Sequence, residues 1–258
     1  MRFHHVTCIC RDPNKNIRFY TQVLGLTLVK RTVNFDDPSA YHLYYGDSRG
    51  SPGSLITFFA YEDAIRGMRG SGLAGTITLA IPPGSRAKWE QQVAEHRLPG
   101  NDLVIVDPDG LRIALEEVEG KEALEIHRVE LCAANMILAE HEMKKLALPA
   151  DLVPLVRESR RGMMGAGSVH HIAFAVDDQE HVRKELIARG ANVTEIVERI
   201  YFRSAYFRGP AGILFEIATN GPGMFVDEEQ LGSGLRLPPW LEPDRERIEA
   251  ELTPIGEL

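Results

Sequence analysis

Two histidine pairs, each at the start of an apolar strand pattern, are the feature that most restricts the fold of this chain. His4-His5 opens the first pattern and His170-His171 opens the second. Each pattern is rich in β-branched residues and leads into a helical apolar spacing and a Gly-containing turn, which predicts a strand followed by a helix. The tripeptide Ser-Ala-Tyr also recurs, at positions 39–41 and 204–206. The chain is therefore expected to contain copies of one supersecondary unit.

Extending these repeats along the chain predicts four modules. The first reads as β-α-β-β-β over positions 4–61, and the fourth repeats that order over 168–218. Two shorter copies lie between them, at 75–118 and 125–146, and the stretch 147–167 contains no clear pair of strands. The predicted fold class is α+β, built from paired βαβββ modules of which the third is shortened.

The modules suggest a division of the chain into two domains and an arm. Modules one and two form the first predicted domain, at 1–118, and modules three and four form the second, at 119–220. The last segment, 221–258, is rich in proline and charge. It is predicted to be an arm docked on the body, ending in a short helix around 243–252, because it carries three large apolar residues: Phe225, Leu237 and Trp240.

A metal site is predicted where modules one and four meet. If these modules pair, His5 and His171 occupy matching positions on neighbouring strands and point into the same cup. Glu216 is a lone carboxylate in the last apolar strand of module four and completes a possible set of three ligands. Aligning the turns of the two modules places Phe58 at the position of Glu216, so the fourth symmetric position is expected to be apolar. The alternative is that the histidines are hydrogen-bonded core residues and that the glutamate pairs with an arginine.

The number of ligands indicates the metal. Two imidazoles and one carboxylate leave several positions open, an arrangement typical of non-haem Fe(II) oxygenases. A fourth protein carboxylate would instead favour Ni²⁺ or Zn²⁺ acting as a Lewis acid in an isomerase. The corresponding positions of modules two and three hold Thr76, Arg128 and Ala114, and no metal is expected there.

Composition narrows the range of partners. The 258-residue chain is 44% hydrophobic and carries a formal net charge of −8, which argues against nucleic acid or an anionic membrane as a partner. It contains no run of about 18 apolar residues and no signal-peptide pattern. The expected location is therefore the cytoplasm. Three cysteines are too few for a disulfide framework.

Four stretches of the sequence resemble the vicinal oxygen chelate superfamily of glyoxalases, extradiol dioxygenases and bleomycin-resistance proteins. They begin with HHVTCIC at 4–10 inside the stretch 4–47, and continue with GSVHHIAFAV at 167–176, ERIYFRSAYFRGPAGILFEIAT at 198–219 and LPPWLEP at 237–243. Within the superfamily the chain is most similar to the hydroquinone-type ring-cleaving dioxygenases. The resemblance is weak from about 120 to 160, where relatives carry a fuller third module.

The resemblance implies a vicinal oxygen chelate fold and a set of site residues. Fe²⁺, with Mn²⁺ or Zn²⁺ as alternatives, would be held by His5, His171 and Glu216. Catalytic roles beside the metal would fall on five further residues: His4, His170, Thr7, Arg199 and Tyr206. Strict strand alternation turns the first two away from the cup, so their roles require a local twist, a bulge or an action from the reverse side.

The activity implied by the resemblance is ring cleavage of a small aromatic diol, a hydroquinone or a catechol, with O₂, as part of the degradation of aromatic compounds. A homodimer or higher homo-oligomer is expected because edge strands need a cover. Two rivals remain open. One is a glyoxalase- or lyase-like metalloenzyme of the same fold, and the other is a metal-free protein that binds small molecules, as resistance proteins do.

Overall fold

The computed structural model describes residues 1–256 and contains two β-sheets flanked by short helices. The strands are β1 Arg2–Cys10, β2 Thr27–Asn34, β3 Asp37–Gly46, β4 Leu55–Ala60, β5 Ala74–Ile81, β6 Val104–Val106, β7 Arg112–Glu117, β8 Glu125–Ala133, β9 Leu155–Arg157, β10 Val169–Ala175, β11 Val197–Glu198, β12 Arg203–Arg208 and β13 Leu214–Ala218. The helices are α1 Pro13–Arg18, which continues into a π-helical turn at Phe19–Val23, α2 Arg86–Gln92, α3 Met136–Leu146, α4 Gln179–Ala188 and α5 Arg245–Glu251. No helix within residues 1–256 has the length and apolar character needed to cross a membrane.

Modules one and four share the larger sheet, as the paired histidines predict. Its eight strands run in the order β11-β12-β13-β10-β1-β4-β3-β2, and β1 pairs with β10 in antiparallel fashion. Val6 faces Ile172 at the centre of this pairing, so the two modules are related by an approximate twofold axis. Modules two and three form the second sheet, of five strands, in the order β6-β7-β5-β8-β9. The predicted fold class of paired βαβββ modules is confirmed.

Both central modules are shorter than the outer ones. Module two has β6 and β7 after its helix, and module three has only β9 in the described residues. The shortened third module is therefore confirmed. One sheet joins module one with module four, and the other joins module two with module three. The predicted domain division at residues 118 and 220 follows chain order instead and stays a prediction.

The C-terminal arm is docked along the open edge of the larger sheet. Leu235 forms a parallel bridge with Arg31 on β2, and the backbone N–H of Arg236 donates to the carbonyl oxygen of Arg31 at 2.9 Å. The side chain of Leu237 is buried, as are Ile248 and Leu252, which hold α5 on the body. The chain therefore covers its own edge strand, a common protection against edge-to-edge association. Trp240 and Phe225 remain about half exposed.

A glycine makes the close approach of the arm possible, and this gives a first prediction. Gly232 has a φ of +70°, and a Cβ at this position would collide with the carbonyl oxygen of Leu28 on β2. The Gly232→Ala variant should destabilise the docked arm by about 1–3 kcal/mol through backbone strain and the lost approach. Hydrogen exchange and limited proteolysis of the segment 226–240 measure this change.

Gly234→Ala is the matched control, because a Cβ there meets nothing within 4 Å. We expect this variant to change stability by less than about 0.5 kcal/mol, as is usual for surface positions. Equal protection of the arm in both variants would contradict the docking described above.

Candidate metal centre

The three predicted ligands lie on adjacent strands and their donor atoms converge. His5 is on β1, His171 on β10 and Glu216 on β13. The two histidine Nε2 atoms lie 3.3 Å apart. Oε2 of the glutamate lies 3.0 Å from Nε2 of His171 and 3.5 Å from Nε2 of His5. All three side chains are buried, and within residues 1–256 they form the one group of this kind able to hold a metal ion.

The residues fit a divalent transition-metal ion. Ligand atoms about 2.1 Å from an ion and at right angles to each other lie about 3.0 Å apart, which is close to the separations found here. Oε2 of Glu216 is buried and has no hydrogen-bond partner among the described residues. Oε1 of the same carboxylate accepts a hydrogen bond of 2.5 Å from the hydroxyl of Ser204. One oxygen is thus fixed by the protein, and the other is left for an ion.

The protonation states also suit a metal. Burial opposes ionisation of Glu216, but the two facing imidazoles hold the pKa of its carboxyl well below the usual range. Burial lowers the pKa of His171, although Glu216 acts against this effect. A carboxylate and a neutral imidazole are the forms that bind metal ions.

Two β-bulges bring the preceding histidines to the same site. Along the β1–β10 ladder, His4 is the extra residue between the paired Phe3 and His5, and His170 is the extra residue on β10. A bulge re-aims a side chain that strict alternation would turn away. Of the three possibilities left open by the sequence, the bulge is the one found. The two bulges are related by the same approximate twofold axis as the strands.

Each bulged histidine contacts its neighbouring ligand histidine in the same way. The Nδ1 atoms of His4 and His5 lie 2.8 Å apart, as do those of His170 and His171. Burial, with the neighbouring imidazole, lowers the pKa of His4 to about 3 and that of His170 to about 4. Both are therefore neutral at pH 7. When the Nε2 of a ligand histidine faces an ion, its Nδ1–H donates to the preceding histidine, which fixes the orientation of the ring.

The fourth symmetric position is occupied by Thr57, and the prediction of Phe58 is wrong. Glu216 pairs with Ala173 on β10, and in module one Thr57 pairs with Thr7 on β1. The side chain of Phe58 points to the opposite face of the sheet, where it packs against Tyr20. The position is therefore polar, but it carries a hydroxyl rather than a carboxylate.

A hydrogen-bond chain surrounds this fourth position and includes residues that the sequence did not single out. The hydroxyls of Thr7 and Thr57 lie 2.8 Å apart. Nε2 of His42 lies 2.9 Å from the Thr57 hydroxyl, and its Nδ1 lies 3.0 Å from the hydroxyl of Tyr44. Burial, together with the two ligand histidines, lowers the pKa of His42 well below its usual value.

The sequence gives no signal for His42, because the Ser-Ala-Tyr repeat aligns the two modules differently from the observed strand pairing. Tyr206 faces Glu216 across β12 and β13, and Tyr44 faces Thr57 across β3 and β4. The repeated Ser-Ala-Tyr tripeptide instead suggested Tyr41 as the counterpart, three positions too early. With the observed register, His42 in module one corresponds to Ser204 in module four, and each contacts the side chain at a ligand position.

Arg199 and Tyr206 lie at the mouth of the site. The Arg199 guanidinium donates to both carboxylate oxygens of Asp36, at 3.0 and 2.8 Å, and its Cζ lies 5.7 Å from the centre of the Tyr206 ring. That ring lies 5.8 Å from the ring of His171. Burial and the negative charge of Glu216 raise the pKa of Tyr206. A small pocket between modules one and four opens here, and eight residues line it: His5, Asn34, Phe35, Asp36, His42, Tyr44, Arg199 and Phe202.

The equivalent cup of modules two and three contains ion pairs instead. Thr76 and Arg128 occupy the positions of the ligand histidines, and Arg128 pairs with Glu116. Glu130 pairs with Arg69 at 3.0 Å. Within residues 1–256 this second cup offers no group of metal-binding side chains.

Paired βαβββ modules around a buried group of two imidazoles and one carboxylate that could hold a metal ion define a protein of the vicinal oxygen chelate type. A family model described as "Glyoxalase/Bleomycin resistance protein/Dioxygenase superfamily" matches residues 2–217. The chain belongs to this superfamily.

Several relatives cover almost the whole chain. "Putative ring-cleaving dioxygenase MhqO" of Bacillus subtilis is 36% identical over 300 aligned positions, which cover 98% of this chain and 96% of the relative. "Chlorohydroquinone/hydroquinone 1,2-dioxygenase" of Sphingobium indicum is 25% identical over 301 positions, with 95% and 94% covered. A crystal structure described as a "putative dioxygenase" from Bacillus subtilis superposes with a TM-score of 0.88 at 33% identity and covers 99% of this chain and 97% of its own. The alignments with MhqO and with the hydroquinone 1,2-dioxygenase are longer than the 258-residue chain, so these two relatives carry inserted segments. This agrees with the shortened modules of the chain.

The hydrogen bond from Ser204 to the carboxylate gives the second prediction. The Ser204→Ala variant should lower the affinity for Fe²⁺ by about 10- to 100-fold, because Oε1 of Glu216 loses the donor that orients the ligand. Competition with a chelator, measured anaerobically, gives the two dissociation constants.

Ser54→Ala is the control for that experiment. Ser54 is also buried, and its hydroxyl donates to the carbonyl oxygen of Ser51 at 2.8 Å in the turn before β4. We expect it to leave the metal affinity unchanged. A loss of affinity of the same size in both variants would mean that the effect reflects general destabilisation.

Proposed function

We propose that this protein is an Fe(II)-dependent, extradiol-type ring-cleaving dioxygenase that opens a hydroquinone or a catechol with O₂. The observation that carries the proposal is the buried group of His5, His171 and Glu216 with Thr57 at the fourth symmetric position. Three protein ligands on one side of an ion leave room for a diol oxygen and for O₂. The names of the relatives, which include a hydroquinone 1,2-dioxygenase, support the same reaction.

Fe²⁺ is the proposed metal, with Mn²⁺ or Zn²⁺ as alternatives. When bound, the ion lowers the pKa of a phenolic hydroxyl and provides a route for electrons between the diol and O₂. His5 and His171 would hold it through Nε2, and Glu216 would hold it through the oxygen that Ser204 leaves free. The role of the protein is to position these groups and to exclude water.

The walls of the pocket suit an aromatic ring. Phe35 and Phe202 line it, and the ring of Phe202 packs 5.3 Å from that of His5. Aromatic side chains bind a flat ring by stacking and keep the surroundings of the metal dry. Polar groups lie on the other walls, where diol oxygens could accept or donate hydrogen bonds. A pocket with both aromatic and polar walls suits a small aromatic diol.

Arg199 and Tyr206 are proposed to bind the oxygen atoms of the substrate. The hydroxyl of Tyr206 keeps its proton at neutral pH, since burial and Glu216 raise its pKa, so it can donate a hydrogen bond to a developing anion. Arg199 adds a fixed positive charge at the mouth, and Asp36 sets its direction. Thr7 is proposed to act through its contact with Thr57, which keeps the fourth position neutral.

The two bulged histidines are proposed to differ in role. His4 is 2% exposed and its Nδ1 contacts His5, which suits it to orient that ligand. His170 is only partly buried and makes the same contact with His171. Because solvent reaches His170 and its imidazole is neutral at pH 7, it is the proposed base that accepts a proton from the substrate.

The proposal also includes a cellular location and an assembly state. The reaction would serve the degradation of aromatic compounds in the cytoplasm. A homo-oligomer is proposed as well, but not as a cover for the β2 edge, which the arm already covers. Exposed apolar side chains support it, on the two linkers 61–73 and 158–168 that connect the sheets and pair with each other: Ile65, Met68, Met163 and Met164.

Oxygen uptake tests the proposed reaction and is the third prediction. Protein loaded anaerobically with Fe²⁺ should consume O₂ when a hydroquinone or a catechol is added. His5→Ala and Glu216→Ala should each lower the rate by at least about 100-fold, since losing a ligand costs more than losing a group that orients one. His141→Ala, on the exposed face of α3, serves as the control and should retain the rate.

Two outcomes would each favour one of the two alternative functions. Stoichiometric zinc with no O₂ uptake on any dihydroxybenzene would indicate a glyoxalase- or lyase-like enzyme. Unchanged binding of small aromatic molecules to His5→Ala and Glu216→Ala, with no bound metal in the unaltered protein, would indicate a metal-free binding protein.

Thr57 provides the fourth prediction, which tests the open position. Thr57→Glu would add a second carboxylate at the place related to Glu216 by symmetry. We expect Zn²⁺ affinity to rise by about tenfold or more and O₂ uptake to fall, because the added ligand closes a position that the reaction needs. Thr57→Val removes the hydroxyl without adding a ligand, so it should leave Zn²⁺ affinity unchanged. Equal O₂ uptake by the Glu variant and the unaltered protein would contradict the need for an open position.

A further inference from the structure

A buried cation ties the C-terminal arm to the larger sheet. The side chain of Lys30, on β2, is fully buried, and its Nζ lies 2.6 Å from Oδ1 of Asp227 and in contact with Glu228. Glu228 is fully buried too and accepts a hydrogen bond of 3.2 Å from Nε of Arg236. Two positive and two negative charges thus meet where the arm leaves the body. Buried charges persist when each is paired in this way.

The same cluster holds a tyrosine next to the mouth of the metal site. The hydroxyl of Tyr201 donates to the other carboxylate oxygen of Asp227 at 3.0 Å. The Nζ of Lys30 also lies 4.8 Å from the centre of the Tyr201 ring, a cation–π contact. Tyr201 is 1% exposed and the Lys30 side chain is fully buried, so water does not weaken the cation–π contact, whereas Asp227 is partly exposed. Asp227 of the arm therefore holds the hydroxyl of this side chain, and Lys30, which the arm pairs, holds the ring.

Tyr201 lies between two residues that line the pocket. The turn 199–202 connects β11 to β12, with Arg199 at its start and Phe202 at its end. Ring centres of Phe202 and His4 lie 4.7 Å apart, and Arg199 reaches across to Asp36 on module one. A displacement of this turn would move one wall of the pocket and its fixed positive charge together.

The backbone of the turn needs outside support. Ile200 has a φ of +65°, which is unfavourable for a β-branched residue. Such a conformation persists only when the surrounding structure holds it. Within the turn, the backbone N–H of Arg199 donates to the carbonyl oxygen of Phe202 at 2.9 Å, and that of Tyr201 donates to the carbonyl oxygen of Arg199 at 2.7 Å. The side-chain contacts of Tyr201 to Lys30 and Asp227 come from outside the turn.

We propose that Tyr201 is a positioning residue for substrate binding, and that the C-terminal arm acts on the pocket through it. Asp227 and Lys30 hold Tyr201, and Tyr201 holds Arg199 and Phe202 in the geometry that receives the diol. This role rests on the proposed function and deepens it. The arm thereby does more than cover the β2 edge.

The kinetic test is the fifth prediction and uses a change of one atom. Tyr201→Phe keeps the ring over Lys30 and removes the hydrogen bond to Asp227. We expect KM for the diol to rise by about three- to tenfold, the effect of one lost hydrogen bond, while kcat and Fe²⁺ content stay within about twofold. A role limited to stability would lower the melting temperature without this separation of KM from kcat.

Tyr45→Phe is the matched control. Tyr45 is also fully buried, and its hydroxyl donates to Asn16 at 2.8 Å on the helical side of the sheet. It removes a buried hydroxyl of the same kind away from the pocket, so KM should not change. The Asp227→Ala variant should raise KM at least as much as Tyr201→Phe, because it also removes a partner of Lys30, and the double variant should not exceed Asp227→Ala, because the Tyr201 contact is already lost there.

Hydrogen exchange separates this proposal from the proposed reaction. Backbone amides of 199–202 should exchange faster in Tyr201→Phe than in Tyr45→Phe or the unaltered protein, with or without a substrate that turns over. If the unaltered protein consumes no O₂ with any diol, the proposed reaction fails while the exchange result still decides the role of Tyr201. Unchanged exchange in 199–202, or a KM rise equal to that of Tyr45→Phe, would overturn the positioning role.

Discussion

The antiparallel pairing of β1 with β10 is the interaction on which the rest of this molecule depends. It joins the first module to the last, sets the twofold relation between them and brings His5 and His171 to one cup. The two bulges in that ladder belong to the same pairing, since each exists only where an extra residue on one strand faces the other. Once β1 and β10 are paired, the pairing of β13 with β10 is enough to bring Glu216 to the two histidines.

The approximate symmetry gives two halves with different chemistry. In module four a serine fixes the carboxylate at the ligand position, and in module one His42 contacts Thr57 at the matching place. At this position module four therefore presents a carboxylate that could bind an ion, while module one presents neutral hydroxyls. The second sheet repeats the architecture with arginine–glutamate pairs in its cup. The two sheets thus contain one candidate metal site and one cup held together by ion pairs.

Much of this arrangement could be predicted from the sequence because it is encoded in repeats. The strands, the module pairing and the positions of His5, His171 and Glu216 follow from recurring local patterns. The prediction of Phe58 is wrong because the turns that align the two modules differ in length: eight residues separate β3 from β4, and five separate β12 from β13. The contacts of Lys30 with the arm could not be predicted, since no periodicity relates residues so far apart in the chain.

Three side chains from two modules are proposed to share one ion and to leave its remaining positions free. Anomalous diffraction at the iron absorption edge, from crystals grown and loaded without air, measures this most directly. We expect one strong peak about 2.1 Å from Nε2 of His5, Nε2 of His171 and Oε2 of Glu216, with only water or small ligands on its other side. A peak bound by a fourth protein side chain, or iron located away from these atoms, would contradict it.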